Sequence, residues 1–138
     1  MSATECIEEL AKSIDRAPSL VWANEYDLQA ALAEALARVP GATVTREVRL
    51  QSPTDRIDLT AEFGLADFGG SVDAETRIGI EVKVKGALAA VVRQLTRYAK
   101  DPSIDGLILV TTKASHHAVP RELEGKPVRL VSLVSRGI

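Results

Sequence analysis

Three successive segments between Arg77 and Thr112 restrict the folds open to this chain more than any other feature. From Arg77 to Lys85 the residues alternate: Ile78, Ile80, Val82 and Val84 fall on one face, Glu81, Lys83 and Lys85 on the other. Next, Leu88, Val91, Val92, Leu95 and Ala99 recur at helical spacing between Ala87 and Lys100, and Asp101-Pro102 stops the helix. Gly106 to Thr112 then forms a short, almost wholly apolar run, the pattern of a strand buried on both faces. A strand, a helix and a strand in immediate succession predict a right-handed crossover between parallel neighbours. The class is therefore α/β (α+β).

The remaining elements fit around that unit. Ile7, Leu10, Ala11 and Ile14 predict a first helix over Thr4 to Ile14, broken by Ala17-Pro18-Ser19. Asn24 is a good N-cap, and Asp27 three residues on resembles a capping box. A second helix therefore runs to about Arg38 on a stripe of Leu28, Leu32, Ala35, Leu36 and Val39, and Pro40-Gly41 ends it. Two alternating strands follow, Ala42 to Leu50 and Arg56 to Phe63. The second places Ile57, Leu59, Ala61 and Phe63 on one face and Asp58, Thr60 and Glu62 on the other. Residues 64–75 read as a hairpin loop, and Lys126 to Val134 as a last strand. The order is α-α-β-β-β-α-β-β, and 138 residues make one domain, 1–138, with one core.

Composition excludes several functions. One cysteine, Cys6, rules out an internal disulfide and reads as a small buried hydrophobe. No apolar run is long enough to cross a membrane and the N-terminus lacks a signal peptide, so a cytoplasmic protein is expected. A net charge of −2 means that any nucleic-acid surface must be local. Lys83, Lys85, Arg93, Arg97 and Lys100 cluster within 18 residues and are the candidates, although the last three also suit a solvated helix face. His116 and His117 read as a solvated loop or a partner contact.

The chemistry concentrates on Glu81 and Lys83. Unlike charges ~6–7 Å apart along a buried strand are costly unless compensated. A metal ion and a phosphate would compensate them; so would a cross-strand ion pair or an exposed sheet edge. Asp58 stands 23 residues earlier on another strand. If those strands pair, both carboxylates meet on one face. Two carboxylates and a main-chain carbonyl form an oxygen-only site suited to Mg²⁺, with Mn²⁺ able to substitute, and not to zinc. A neighbouring ammonium could orient or deprotonate a water and hold a phosphate.

Asp58, then Glu81-Val82-Lys83, then a helix bearing Gln94-Leu95-Thr96-Arg97-Tyr98 resembles the PD-(D/E)xK nuclease superfamily. The Gln-x-x-x-Tyr spacing is similar to a motif of its RecB-like branch, and the resemblance covers about residues 22 to 112. It implies a restriction-endonuclease-like αβββαβ core, a central mixed sheet flanked by helices. It also implies that Asp58, Glu81 and the Val82 carbonyl ligate Mg²⁺, that Lys83 assists the nucleophilic water, and that Glu25 supplies a further carboxylate. Glu25 also suits a first-turn position favoured by the helix dipole. Lys85, Gln94, Arg97 and Tyr98 are the DNA-binding candidates, with Gln94 and Tyr98 alternatively bracing Lys83 and Tyr98 also suiting a half-buried aromatic. The Pro-Asp dipeptide that names the superfamily is absent, because Ile57 precedes Asp58.

The activity implied is metal-dependent DNA endonuclease, and the size suits a structure-specific enzyme similar to a Holliday junction resolvase. Such an enzyme works as a homodimer. Leu107 to Val110, Val128, Leu130 and Leu133 give more apolar surface than a small sheet is expected to hide. The alternative is a catalytically silent subunit of a nucleic-acid-processing or defence complex that keeps the fold for binding or assembly.

Overall fold

The computed structural model describes residues 2–17, 20, 22–52, 54–64 and 75–133. Its elements are α1 (Ala3–Arg16), α2 (Glu25–Leu36), β1 (Ala42–Arg49), β2 (Arg56–Phe63), β3 (Thr76–Lys83), α3 (Leu88–Ala99), β4 (Gly106–Thr111), a 3₁₀ turn (Ala114–Ala118), β5 (Glu122–Leu123) and β6 (Lys126–Ser132). The expected αβββαβ order is present from α2 to β4. The two-residue β5 was too short to show any alternation. Most of the expected hairpin loop, residues 65–74, lies outside the described residues, as does the end of the last expected strand.

Local chemistry explains where the first two helices start. Ser2 caps α1 in a complete capping box: its Oγ accepts from Glu5 N at 3.1 Å, and Glu5 Oε1 accepts from Ser2 N at 3.3 Å. Asn24 caps α2 by accepting from Asp27 N at 2.8 Å. The Asp27 carboxylate accepts from Ala23 N rather than from the cap residue.

The strands form one mixed, six-stranded sheet in the order β1-β2-β3-β4-β6-β5. β1, β2 and β3 form an antiparallel meander; β3 pairs parallel with β4, and β4 parallel with β6. The crossover predicted between β3 and β4 is thus present, and α3 makes it. β4 is buried at every position, as its unbroken apolar run requires.

Helices cover both faces. α1 and α2 bury Ile7, Leu10, Ile14, Leu28, Leu32 and Leu36 against Leu59, Ala61, Ile78, Ile80, Val82, Ile108 and Val110. On the other face α3 buries Val91, Leu95 and Tyr98 with Ile57, Leu107 and Leu109. Cys6 is fully buried, as expected of a small hydrophobe.

Two expectations fail here. Ile57 lies with the α3 layer while Leu59 and Ala61 lie with α1 and α2, so β2 does not keep one face throughout. It turns over at Asp58. Opposite that point in β1, Glu47 has φ 52°, a left-handed conformation rare outside glycine, between the pairs Arg46–Leu59 and Val48–Ile57. The second failure concerns surface. Leu107 to Val110 and Leu133 are fully buried, Val128 is buried and Leu130 is half-buried. α3, the 3₁₀ turn and the first helical layer cover them, which removes the apolar patch invoked for a homodimer. Among the described residues no helix is long and apolar enough to cross a membrane.

Candidate active site

The bend in β2 brings the carboxylates together. Pairing of β2 with β3 runs from Phe63–Thr76 to Leu59–Ile80. The next opposed residues in that register are Asp58 and Glu81, and there side chains take over from the backbone ladder. Val82 N donates to Asp58 Oδ2 at 2.8 Å, and Asp58 N donates to Glu81 Oε1 at 3.3 Å. Two residues of different strands are thereby locked side by side, as the period-2 reading required.

Glu81 is only 2% exposed. Lys83 Nζ lies 3.2 Å from Glu81 Oε2, and the Lys83 side chain keeps 20% of its surface in solvent. The lysine spans from a buried carboxyl to the open end of the site. Burial, followed by the charge of Asp58, pushes the Glu81 carboxyl up to about 8, and the Lys83 charge offsets this only in part. Burial also raises Asp58, against the hydrogen bond from Val82 N and a side-chain hydrogen bond shared with Glu81; the Glu25 charge adds to the rise. Both carboxyls of the pair are thus pushed toward their neutral forms.

Such a pair offers the hard oxygen donors that a divalent cation takes. Among the described residues no cluster of three or more His, Cys, Asp or Glu side chains is placed to hold a metal. The Val82 carbonyl lies on the strand between Glu81 and Lys83.

The other sequence candidates divide. Glu25 points inward from the first turn of α2, and its Oε1 accepts from Val84 N at 3.3 Å, just beyond the end of β3. Lys85 is exposed on the following loop. Tyr98 is not a surface contact: it is 1% exposed, and its hydroxyl donates to the Arg56 carbonyl at 2.9 Å while accepting from Gln94 Nε2 at 2.7 Å. The Gln94–Tyr98 pair is therefore spent inside the protein, holding β2 two residues before Asp58. Arg56 opens β2, and its carbonyl takes its hydrogen bond from α3. Burial, then the Glu81 charge, raises the Tyr98 phenol far above its ordinary value, which keeps it a donor. Arg97 is 3.1 Å from Asp55 Oδ1. Asp55 is a turn residue that is nevertheless buried.

His116 corrects the reading of a solvated loop. It is fully buried. Its Nε2 faces the Gly86 carbonyl at 2.7 Å and must carry the hydrogen, because a carbonyl only accepts. Nδ1 lies 2.7 Å from Thr111 Oγ1, which also accepts from Lys113 N at 3.0 Å. Thr111 is the β4 partner of Lys83, and Gly86, at φ 103°, turns the chain from β3 into α3. His116 thus fixes the loop leaving the lysine strand. The only signal in the sequence was position, a polar residue shortly after a buried strand.

No protein-family model matches the chain, and no curated protein matches it. Among solved structures, one similar to this chain is the DNA modification-dependent restriction endonuclease AspBHI, at a TM-score of 0.45 and 20% identity, over 99% of this chain and 36% of that one. The chain thus spans about a third of that protein's length. A superposition this loose adds nothing to the element order and strand pairing described above.

Proposed function

We propose that this protein is a metal-dependent DNA endonuclease of the PD-(D/E)xK type. One observation carries the reading: Asp58, Glu81 and Lys83 converge where the β2–β3 ladder gives way to side chains. Asp58, Glu81 and the Val82 carbonyl are the groups that would hold Mg²⁺ or Mn²⁺. Once bound, such an ion supplies charge stabilisation at the phosphate and a more acidic water. Lys83 holds and orients the attacking water and offsets negative charge that builds up on the phosphate. Tyr98 and Glu25 hold the two strands at fixed separation, so that little reorganisation is needed during reaction. Lys85, exposed beyond the site, meets the phosphate backbone. A four-way junction is the structured substrate that suits a catalytic core of this size, and symmetric cutting of one requires two copies.

A second reading has its own support. The 3.2 Å contact between Lys83 and Glu81 compensates a buried carboxyl without any ligand, as a non-catalytic binding or assembly subunit would need. Cleavage of labelled linear, nicked and four-way DNA, with and without Mg²⁺ or Mn²⁺, separates the two. The expected result is cleavage only with metal, reduced about 10²–10³-fold or more in Lys83→Ala. Affinity for DNA and the melting temperature should barely change, since the lysine would act on the attacking water and the transition-state charge. Absence of cleavage on every substrate, or equal cleavage by Lys83→Ala, rejects the nuclease reading.

A further inference from the structure

Tyr26 is the one large hydrophobic side chain among the described residues that stands exposed, at 62%. The Arg46 guanidinium lies over its ring, 4.9 Å from the centroid. Arg46 Nε and Nη2 are buried without a hydrogen-bond partner, and no ion pair to this arginine is formed among the described residues. A guanidinium held this way is an uncompensated positive charge at a fixed position. Both residues stand next in sequence or register to elements that carry the site. Tyr26 follows Glu25 on α2, and Arg46 pairs across the sheet with Leu59, the neighbour of Asp58.

We infer that Tyr26 and Arg46 form a stacking step for an unpaired nucleobase of the DNA strand entering the site. Arg46 occupies one face of the ring, and the open surface of Tyr26 takes the flat face of a base. The phosphate beside that base is drawn by the positive charge of Arg46 behind the ring. Within a duplex each base is already stacked between its neighbours, so a single surface ring recognises an end, a gap or a flipped nucleotide. The step therefore favours DNA that carries an unpaired segment. This inference rests on the nuclease reading but concerns binding, which can be measured without cleavage.

The test is a titration of the full chain in EDTA with single-stranded and blunt duplex oligonucleotides carrying 2-aminopurine. Wild type, Tyr26→Phe, Tyr26→Ala and Lys83→Ala are compared, with melting curves to establish folding. The single strand should bind more tightly than the duplex and its fluorescence should be quenched. Tyr26→Phe should retain both properties, whereas Tyr26→Ala should lose the quench and bind about tenfold or more weakly, as expected for loss of one stacked base. Unchanged single-strand affinity in folded Tyr26→Ala overturns the inference. If metal-dependent cleavage still depends on Lys83, the nuclease reading survives that result. A wild type that neither binds nor cleaves DNA overturns both. Self-association that is lost in Tyr26→Ala assigns the ring to a protein interface instead and likewise overturns the inference.

Discussion

Glu81 is held in its buried position by Asp58 N and Lys83, at the expense of desolvating a carboxyl beside another carboxyl. Glu81→Gln keeps the volume and a hydrogen-bonding oxygen while removing the repulsion. The melting temperature of this variant in metal-free buffer is expected to equal or exceed that of the parent, and its rise on adding Mg²⁺ should disappear. A structural ion pair predicts the opposite, a loss of about 3–5 kcal/mol on removing one partner. Thermal unfolding with and without Mg²⁺ decides between them. At this scale the sequence was legible wherever side-chain parity decides position, as for Asp58, Glu81 and Lys83. It was illegible for Tyr98 and His116. Their burial depends on carbonyls of Arg56 and Gly86 that only the folded chain brings within reach.

The turn after α3 is tied to two distant segments through Asp101. Asp101 Oδ2 accepts from Gln51 N at 2.7 Å; Oδ1 accepts from Ser103 N at 2.8 Å and Ser103 Oγ at 2.6 Å; and the Asp101 carbonyl accepts from Lys126 Nζ at 2.8 Å. Burial alone would raise this carboxyl, but the hydrogen bonds from Ser103 and Gln51, with the Lys126 charge, outweigh it and hold it below the ordinary 3.8. A depressed carboxyl contributes stability that is complete above its unfolded value and lost as pH falls through the folded one. Asp101→Asn is therefore expected to flatten the acid limb of a stability–pH curve below about pH 4, measured by urea denaturation. Helices and long strands were readable because each repeats a period over several turns or pleats. Asp101 looked like a helix stop and nothing more, since Gln51 and Lys126 are distant in sequence.

Across the whole molecule, the two helical layers meet different sides of one sheet, and Gly79 lets β2 pass between them. A methyl group at Gly79 would overlap Ile57 Cδ1 and come within 3.0 Å of Leu107 Cδ2. Ile57 can swing to the α3 side because β3 leaves this space empty. Gly79→Ala is expected to cost about 1–3 kcal/mol from overpacking. Trimming the partner in Gly79→Ala/Ile57→Val should recover part of that loss, giving non-additive midpoints in guanidinium denaturation. Additive losses would mean that Ile57 does not fill the glycine's space. The αβββαβ order could be read from hydrophobic periodicity alone. The crossing of Ile57 could not, because an alternating strand carries no mark of the residue at which it twists over.

The unfinished ladder between β2 and β3 also bears on how such a protein could change over generations. Beyond Leu59 and Ile80 the Asp58 and Val82 amides donate to carboxylates of the opposite strand. Replacing both acids would free these amides to extend the sheet with ordinary backbone partners, and would relieve a buried like-charge pair. In the fold itself each acid accepts from one of these amides, so a lineage that had no use for the pair could drift to neutral residues and gain a longer, quieter sheet.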